Sequence, residues 1–122
     1  KQMIITGTRI NVADNSGART VGCIKVLGSH KYGVIGDSLI VSVKKCIPHK
    51  KVKKHEIYTG ILIRQSFPFS RTNGSKLVFN NNDIVLINKK GEPLGSRVFG
   101  PIPYELRRKK FMKIISISAS IV

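Results

Sequence analysis

Short runs of alternating apolar and polar residues, separated by closely spaced turn signals, constrain this chain more than any other feature of its sequence. Ser38–Ile47 alternates leucine and valine with serine and lysine, as a half-buried strand does. Glu56–Gln65 is rich in β-branched residues, and Ala13–Gly17 (ADNSG) is a dense turn signal. Lys76–Phe79 and Asp83–Asn88 are typical of a hairpin around an Asn-rich turn. The pattern predicts a mainly β fold, a small antiparallel β-barrel.

The carboxy-terminal part of the chain departs from this β pattern. Pro103 suits the first position of a helix, and the residues after it are mostly good helix formers. One or two short helices are therefore predicted between Pro103 and Ile115. The 122 residues suffice for one domain, so we expect a single domain over residues 1–122. Its barrel would span about 1–100 and its helical segment about 101–122.

The charge of the chain restricts its partners. Lysine and arginine number 22 against six acids, which gives a formal net charge of +16. Because self-repulsion opposes the compact state, a polyanionic partner is expected, with nucleic acid first and an anionic membrane second. The membrane is disfavoured, since no apolar run approaches the roughly 20 residues that span a bilayer. The amino-terminal residues also lack the layout of a signal peptide.

The positive charge is concentrated between two predicted strands. Lys44–His55 holds six lysines and two histidines without any acid. A solvated lysine surface is the simpler interpretation, but such surfaces normally interleave acids that limit repulsion. Contacts to phosphates release counterions, so nucleic-acid binding is favoured here. The predicted contacts in this segment are Lys44, Lys45, Lys50, Lys51, Lys53 and Lys54.

A second basic cluster lies near the carboxyl end, at Arg107–Lys110 with Lys113 beyond it. Four consecutive charges on a helix point in several directions, so contacts to two partners would explain them better than one surface. The helix dipole, which favours cations at a helix end, explains part of the cluster. Guanidinium groups hold phosphate through two parallel hydrogen bonds. Further candidate RNA ligands are therefore Arg9, Arg19, Arg64, Arg71, Arg107 and Arg108.

Metal binding and catalysis are both disfavoured by the residues present. Cys23, Cys46, His49 and His55 could supply zinc ligands, but their spacing fits no standard zinc pattern and the neighbouring lysines would repel a dication. Both cysteines are expected to be reduced core residues. With six acids, three histidines and no Ser/His/Asp signature, we predict no enzyme, no metal and no cofactor.

Two other kinds of nucleic-acid protein compete with a structural role. A free single-strand binder on an OB-like barrel needs aromatic platforms among its basic residues. The chain has three tyrosines, five phenylalanines and no tryptophan, and Lys44–His55 contains no aromatic residue. An RNA enzyme needs a convergent acid–base or metal constellation, which the sequence lacks. The free nucleic-acid-binding barrel remains the alternative function.

Several long motifs carry a resemblance to a known family. Asn11–Arg19 (NVADNSGAR) resembles the opening motif of the L-fourteen family of large-subunit ribosomal proteins. The family's central signature is similar to a series of residues here: Gly60–Ile63, Asn73-Gly74, Phe79, Asn82 and Val85-Leu86. Its closing motifs resemble Gly95–Pro101 (GSRVFGP), Glu105–Arg107 and Phe111–Ser116 (FMKIIS). The resemblance runs from end to end with almost no gaps.

The resemblance implies a five-stranded barrel with a projecting β-ribbon and short carboxy-terminal helices. It further implies a non-catalytic protein, not a homo-oligomer, that binds large-subunit rRNA and neighbouring large-subunit ribosomal proteins. Such a protein helps to form intersubunit bridges to small-subunit rRNA, and a ribosome silencing factor docks on it. The matching docking residues here would be Arg97, Lys113 and Ser116.

The sequence departs from the family pattern at three places. The loop at 66–71 is usually basic in the family, whereas here it reads SFPFSR. The segment 50–54 is richer in lysine than usual, and the tail at 116–120 lacks the common Pro-Glu pair. Enrichment in lysine, isoleucine and asparagine is typical of AT-rich genomes, and organelle genomes are often of this kind. This composition favours a mitochondrial ribosome, with the bacterial cytoplasm and the plastid as alternatives.

Overall fold

The computed structural model describes residues 4–27, 32–48, 50, 52–66, 68–70, 74–104, 106 and 112–122. The strands within these ranges are β1 (Arg9–Val12), β2 (Ala18–Val26), β3 (Ser38–Cys46), β4 (Ile57–Arg64), β5 (Phe69–Ser70), β6 (Lys76–Leu77), β7 (Asp83–Ile87), β8 (Val98–Ile102) and β9 (Ser118–Ile121). One α-helix, α1 (Met112–Ser116), is described between β8 and β9. The described part of the chain contains no helix long and apolar enough to cross a membrane.

Five strands close into a barrel in the order β1-β2-β3-β4-β7. This confirms the mainly β fold and the five-stranded barrel. Four of the junctions are antiparallel, but β1 pairs with β7 in parallel, with Asn11 beside Asp83 and Val12 beside Ile84. Alternation of apolar and polar residues specifies which face of a strand is buried and says nothing of the partner's direction. The parallel closure was therefore not visible in the pattern.

The predicted hairpin of Lys76–Phe79 with Asp83–Asn88 is wrong. β6 pairs with β5 as a two-stranded ribbon outside the barrel, and β7 pairs with β4 and β1. The reason is the burial of β7, whose central residues Ile84, Val85 and Leu86 are all fully buried. A strand covered on both faces needs barrel neighbours, which the exposed Lys76 segment cannot provide.

The strand β4 separates two hydrophobic cores. Leu62 packs with the cluster inside the barrel, whereas Ile61 and Ile63 belong to a second cluster on the outer face. Residues of the carboxy-terminal segment, including Val98 and Ile114, cover that outer face. Ile57, at the start of the same strand, is not covered in this way and is 66% exposed.

The carboxy-terminal segment is only partly helical. β8 and β9 form a parallel pair, and α1 connects into β9. Of the helices predicted between Pro103 and Ile115, the structure describes α1, which runs one residue further, to Ser116. Glu105 and residues 107–111 lie outside the described part of the chain. Phe99 N–H donates to the Ala13 carbonyl at 2.7 Å, so β8 is hydrogen-bonded to the chain just after β1.

Candidate nucleic-acid interface

Four cations converge on one surface cavity where β2 begins and β3 ends. The pairing of Thr20 with Lys45 and of Ala18 with Cys46 brings Arg19 next to the end of β3. The cavity has a volume of about 380 Å³ and is lined by Arg19, Lys44, Lys45, Cys46, Ile47, Pro48 and Lys54. We call it the basic cavity. The structure thus brings together four of the predicted RNA ligands, from three segments of the chain, without a carboxylate among the lining residues.

The segment that follows β3, residues 47–55, is held against the barrel by three contacts, and we call it the basic segment. Ile47 N–H donates to the Gly17 carbonyl at 2.7 Å, and His55 N–H donates to the Val43 carbonyl at 2.8 Å. Between these points Val52 is inserted into the barrel core and is only 2% exposed. The sequence did contain a signal of this contact, because Val52 is the single apolar residue in the run of lysines from Lys50 to Lys54. These contacts hold the described parts of the segment, which carry Lys50, Lys53 and Lys54, against the barrel.

The other predicted RNA ligands are distributed unevenly. Lys50 and Lys53 are exposed on the basic segment, and Arg9 is exposed on β1 opposite Gly22. Four of the predicted ligands lie outside the described residues, namely Lys51, Arg71, Arg107 and Arg108. His49 also lies outside them.

Arg64, which was predicted as an RNA ligand, differs from the others because its guanidinium forms hydrogen bonds inside the protein. Its Nε donates to Asp83 Oδ2 at 2.6 Å, and its two terminal nitrogens donate to the carbonyls of Pro101 and Phe99 at 2.6 and 2.9 Å. Its side chain is only 10% exposed. Gly100 adopts φ of +81°, and a Cβ at this position would lie 2.5 Å from Arg64 Nη1. The side chain therefore joins β4 to β8, and we expect it to stabilise the fold and not to bind phosphate.

The ADNSG turn is a buried hydrogen-bonding centre. The Asp14 carboxylate accepts hydrogen bonds from Ser16 N–H at 3.1 Å, from Ser16 Oγ at 2.6 Å and from Leu86 N–H at 3.1 Å. Burial raises the pKa of Asp14 above its usual value of 3.8, and the hydrogen bonds from Ser16 and Leu86 offset part of that rise. The turn predicted from the sequence is confirmed. The hydrogen bond from Leu86 of β7 to Asp14 was not predicted.

Asn15 connects this turn to the predicted docking residues. Its Oδ1 accepts hydrogen bonds from the N–H groups of Ser96 and Arg97 at 2.8 and 3.1 Å, and its Nδ2 donates to Ser96 Oγ at 2.9 Å. Sequence analysis treated Asn15 only as a turn former and missed this contact, which spans 81 residues. The one signal available was that Asn15 and Gly95–Arg97 both lie in family motifs.

The three predicted docking residues lie on adjoining segments. Val98 N–H donates to the Ile117 carbonyl at 3.1 Å, which places Arg97 beside the end of α1. Arg97, Lys113 and Ser116 are all exposed. Lys113 Nζ forms an exposed ion pair with Glu92 Oε1 at 2.6 Å, and Ser116 Oγ donates to the Lys113 carbonyl at 2.7 Å. An exposed pair of this kind contributes little to stability, so Lys113 stays accessible to a partner.

The basic segment and the docking residues are neighbours. A cavity of about 140 Å³ is lined by Lys50 of the basic segment and by Asn15 and Ser96, and Asn15 Oδ1 accepts a hydrogen bond from the N–H group of Arg97. Gly17 lies directly under the basic segment, since a Cβ there would be 2.3 Å from Lys50 Cβ. The two surfaces therefore adjoin along the ADNSG turn.

The cysteines are free thiols, with Cys23 buried in the barrel core and Cys46 half-buried against it. Burial raises the pKa of Cys23, which favours the protonated thiol over the thiolate that metals bind. Among the residues that the structure describes, no three His, Cys, Asp or Glu side chains are grouped as metal ligands.

The buried Asp14 carboxylate should give folding a distinct pH dependence. Since its pKa is raised in the folded state, its contribution to stability is complete below 3.8 and is lost as pH rises through the folded-state value. We expect the free energy of unfolding of the native chain, minus that of Asp14→Asn, to decrease between about pH 4 and pH 7. Urea unfolding of both proteins across this range measures the difference. An increase with pH would show that the hydrogen bonds outweigh desolvation.

One family model matches the chain over nearly its whole length. The model is described as Ribosomal protein L14p/L23e, and it matches residues 3–122. The matched range includes the barrel, the basic cavity, the ADNSG turn and the docking residues.

Proposed function

Because this chain belongs to the L14p/L23e family of ribosomal proteins, we propose that it binds large-subunit rRNA through the basic cavity and the lysines beside it. Membership of the family makes the chain a structural constituent of the large ribosomal subunit, which serves translation. The observation that carries the proposal is the convergence of Arg19, Lys44, Lys45 and Lys54 on one cavity. Cations fixed at short separation repel one another, and a row of phosphates offsets that repulsion. The family is of a structural kind, and we assign the chain no catalytic role.

The salt dependence of binding to purified large-subunit rRNA tests this proposal. Each phosphate contact contributes roughly 0.7–0.9 to the slope of log affinity against log salt, so the four cations of the cavity alone predict a slope of about −3 or steeper. The alternative function, a free nucleic-acid-binding barrel, predicts equal affinity for unrelated RNA of the same length. A shallow slope on rRNA would contradict the proposal, and equal affinity for unrelated RNA would favour the alternative.

We propose a second role for the surface formed by Arg97, Lys113 and Ser116. These residues are exposed on adjoining segments, and the backbone at Arg97 and Val98 is held by hydrogen bonds to Asn15 and Ile117. An exposed surface that carries two cations suits small-subunit rRNA across the subunit interface, or a silencing factor that blocks subunit joining. Neighbouring large-subunit proteins remain further partners.

The double variant Arg97→Glu/Lys113→Gln should impair subunit joining while leaving assembly of the large subunit nearly normal. One charge-assisted contact is worth about 1.5–3 kcal/mol, so its loss weakens an interface of many contacts without abolishing it. Glutamine is chosen at 113 because a glutamate would face Glu92 at the position of the present 2.6 Å ion pair. Sucrose-gradient profiles of Arg97→Glu/Lys113→Gln ribosomes measure the effect, with Lys89→Glu/Lys90→Gln as the control. If the variant chain fails to enter the large subunit, these residues anchor it instead.

The composition supports a mitochondrial ribosome as the particle that contains this chain, with bacterial and plastid ribosomes as alternatives. Fractionation of the source cells, followed by detection of the chain in ribosomes of each compartment, decides among them.

A further inference from the structure

We propose that the basic cavity receives a single unpaired nucleotide of the rRNA, turned out of its helix, rather than the backbone of a regular duplex. This inference rests on the proposed rRNA binding and specifies which RNA structure the cavity recognises. It follows from the chemistry of the lining, which combines cations with an apolar floor.

The lining divides into two parts. Arg19, Lys44, Lys45 and Lys54 supply the charge, and Cys46, Ile47 and Pro48 supply a continuous apolar stretch of backbone neighbours. Ile47 is 37% exposed, although it lies in the most highly charged segment of the chain. Phosphate groups gain nothing from contact with isoleucine and proline side chains. The face of a nucleobase does gain from it, because the base is the apolar part of a nucleotide.

A regular RNA duplex can offer its phosphates to the cations of the cavity, but it cannot place a base against the apolar residues of the lining. Its bases are stacked, its major groove is too narrow for side chains, and it presents a convex row of phosphates and 2′-hydroxyls. Bulged and looped nucleotides can instead be splayed out, with the base against a side-chain plane and the phosphate against cations. A cavity of about 380 Å³ lies at the small end of the range of ligand sites, roughly 300–1,000 Å³, which suits one nucleotide.

The backbone that carries the proposed base-binding residues is held in the free protein. Ile47 is tied to Gly17 by a backbone hydrogen bond of 2.7 Å, and Gly17 has a φ of +112° that favours glycine. Arg19 lies on β2 and Lys45 on β3, which pair in the barrel. The lining contains no aromatic residue, so the Arg19 guanidinium plane and the Pro48 ring are the surfaces on which the base would stack. Preorganised walls of this kind reduce the cost of ordering on binding.

Two synthetic RNA hairpins test the inference: a fully paired stem, and the same stem with one bulged 2-aminopurine nucleotide. We expect the bulged hairpin to bind about tenfold more tightly, with a change in 2-aminopurine fluorescence on binding. Ile47→Ser and Pro48→Ser, made separately, should each reduce the preference to about twofold or less while leaving the salt slope unchanged. Ile57→Ser is the matched control, because Ile57 is exposed and does not line this cavity. Thermal unfolding of each variant verifies that it is folded.

The outcomes separate the inference from the function on which it rests. Equal binding of both hairpins with a steep salt slope, or a preference that survives both serine substitutions, would overturn the nucleotide site and leave rRNA binding intact. Failure to bind either hairpin or the natural rRNA at low salt would overturn the proposed function itself.

Discussion

Replacement of Arg64 with methionine should lower the free energy of unfolding by about 3–5 kcal/mol, the loss that follows when one partner of a buried ion pair is removed. The Asp83 carboxyl group, whose side chain is 13% exposed, would lose the guanidinium that now lies 2.6 Å away. The carbonyls of Phe99 and Pro101 would also lose their donors. Because these contacts fasten β8 to β4, the carboxy-terminal segment should loosen first.

Arg19→Met is the matched control for this experiment. Arg19 is exposed and lines the basic cavity, so its loss should leave unfolding nearly unchanged and weaken RNA binding. Urea unfolding and rRNA titration of both variants make the comparison. If Arg64→Met is stable but binds RNA poorly, Arg64 does contact phosphate and its internal hydrogen bonds are dispensable.

Simultaneous replacement of Lys45, Lys50, Lys53 and Lys54 with alanine should give the largest loss of RNA binding. All four side chains are exposed on or beside the basic segment, so folding should survive. Each lost phosphate contact reduces the salt slope by roughly 0.7–0.9, and four contacts therefore reduce it by about 3. Preference among RNA sequences should change little, because phosphate contacts carry no sequence information.

The matched control replaces four exposed lysines elsewhere on the described surface: Lys25, Lys76, Lys89 and Lys90. It changes the net charge by the same amount, so it separates local contacts from the overall field of the protein. In the control, the rate of association with RNA and the affinity at low salt should fall modestly. The slope of log affinity against log salt should stay near that of the native chain. Equal loss of slope in both variants would mean that the basic segment has no special role.

The local pattern of the sequence predicted the barrel well, because alternation in segments such as Ser38–Ile47 reports directly which face of a strand is buried. It predicted the pairing of strands less well. β7 is apolar after Asp83 and its partners are β4 and β1, but nothing in its own residues distinguishes a barrel neighbour from a hairpin neighbour. Partner choice depends on packing across the whole core.

The candidate site shows the same limit at single residues. Arg64 and Arg19 look alike in sequence, yet the first is buried by contacts to residues 19, 35 and 37 positions away. Only the fold determines that such partners meet. Asn15 is a comparable case. A local turn is sufficient to explain an asparagine at this position, so the sequence gives no sign of its three hydrogen bonds to Ser96 and Arg97. Charge clustering did single out the segment that carries Lys44, Lys45 and Lys54, because a charge run is visible without long-range contacts. It did not show that the pairing of β2 with β3 adds Arg19 to the same cavity.

The closeness of the basic segment to Asn15 bears on how the chain would work within a ribosome. Lys50, Asn15 and Ser96 line one small cavity, and Asn15 accepts a hydrogen bond from the N–H group of Arg97. RNA bound to the basic segment would therefore lie close to the segment that we propose for docking. The Arg97→Glu/Lys113→Gln variant and the lysine variant should nonetheless differ in phenotype, one in subunit joining and the other in rRNA affinity.

Sedimentation of the chain with ribosomal particles tests the central claim most directly. A tagged copy expressed in the source cells is followed through sucrose gradients at low and high salt, with rRNA and total protein measured in each fraction. We predict that the chain migrates with the large subunit at low salt and is released only at high salt. If it remains with free protein at the top of the gradient, or spreads over all RNA without preference for the large subunit, the assignment of its function is contradicted.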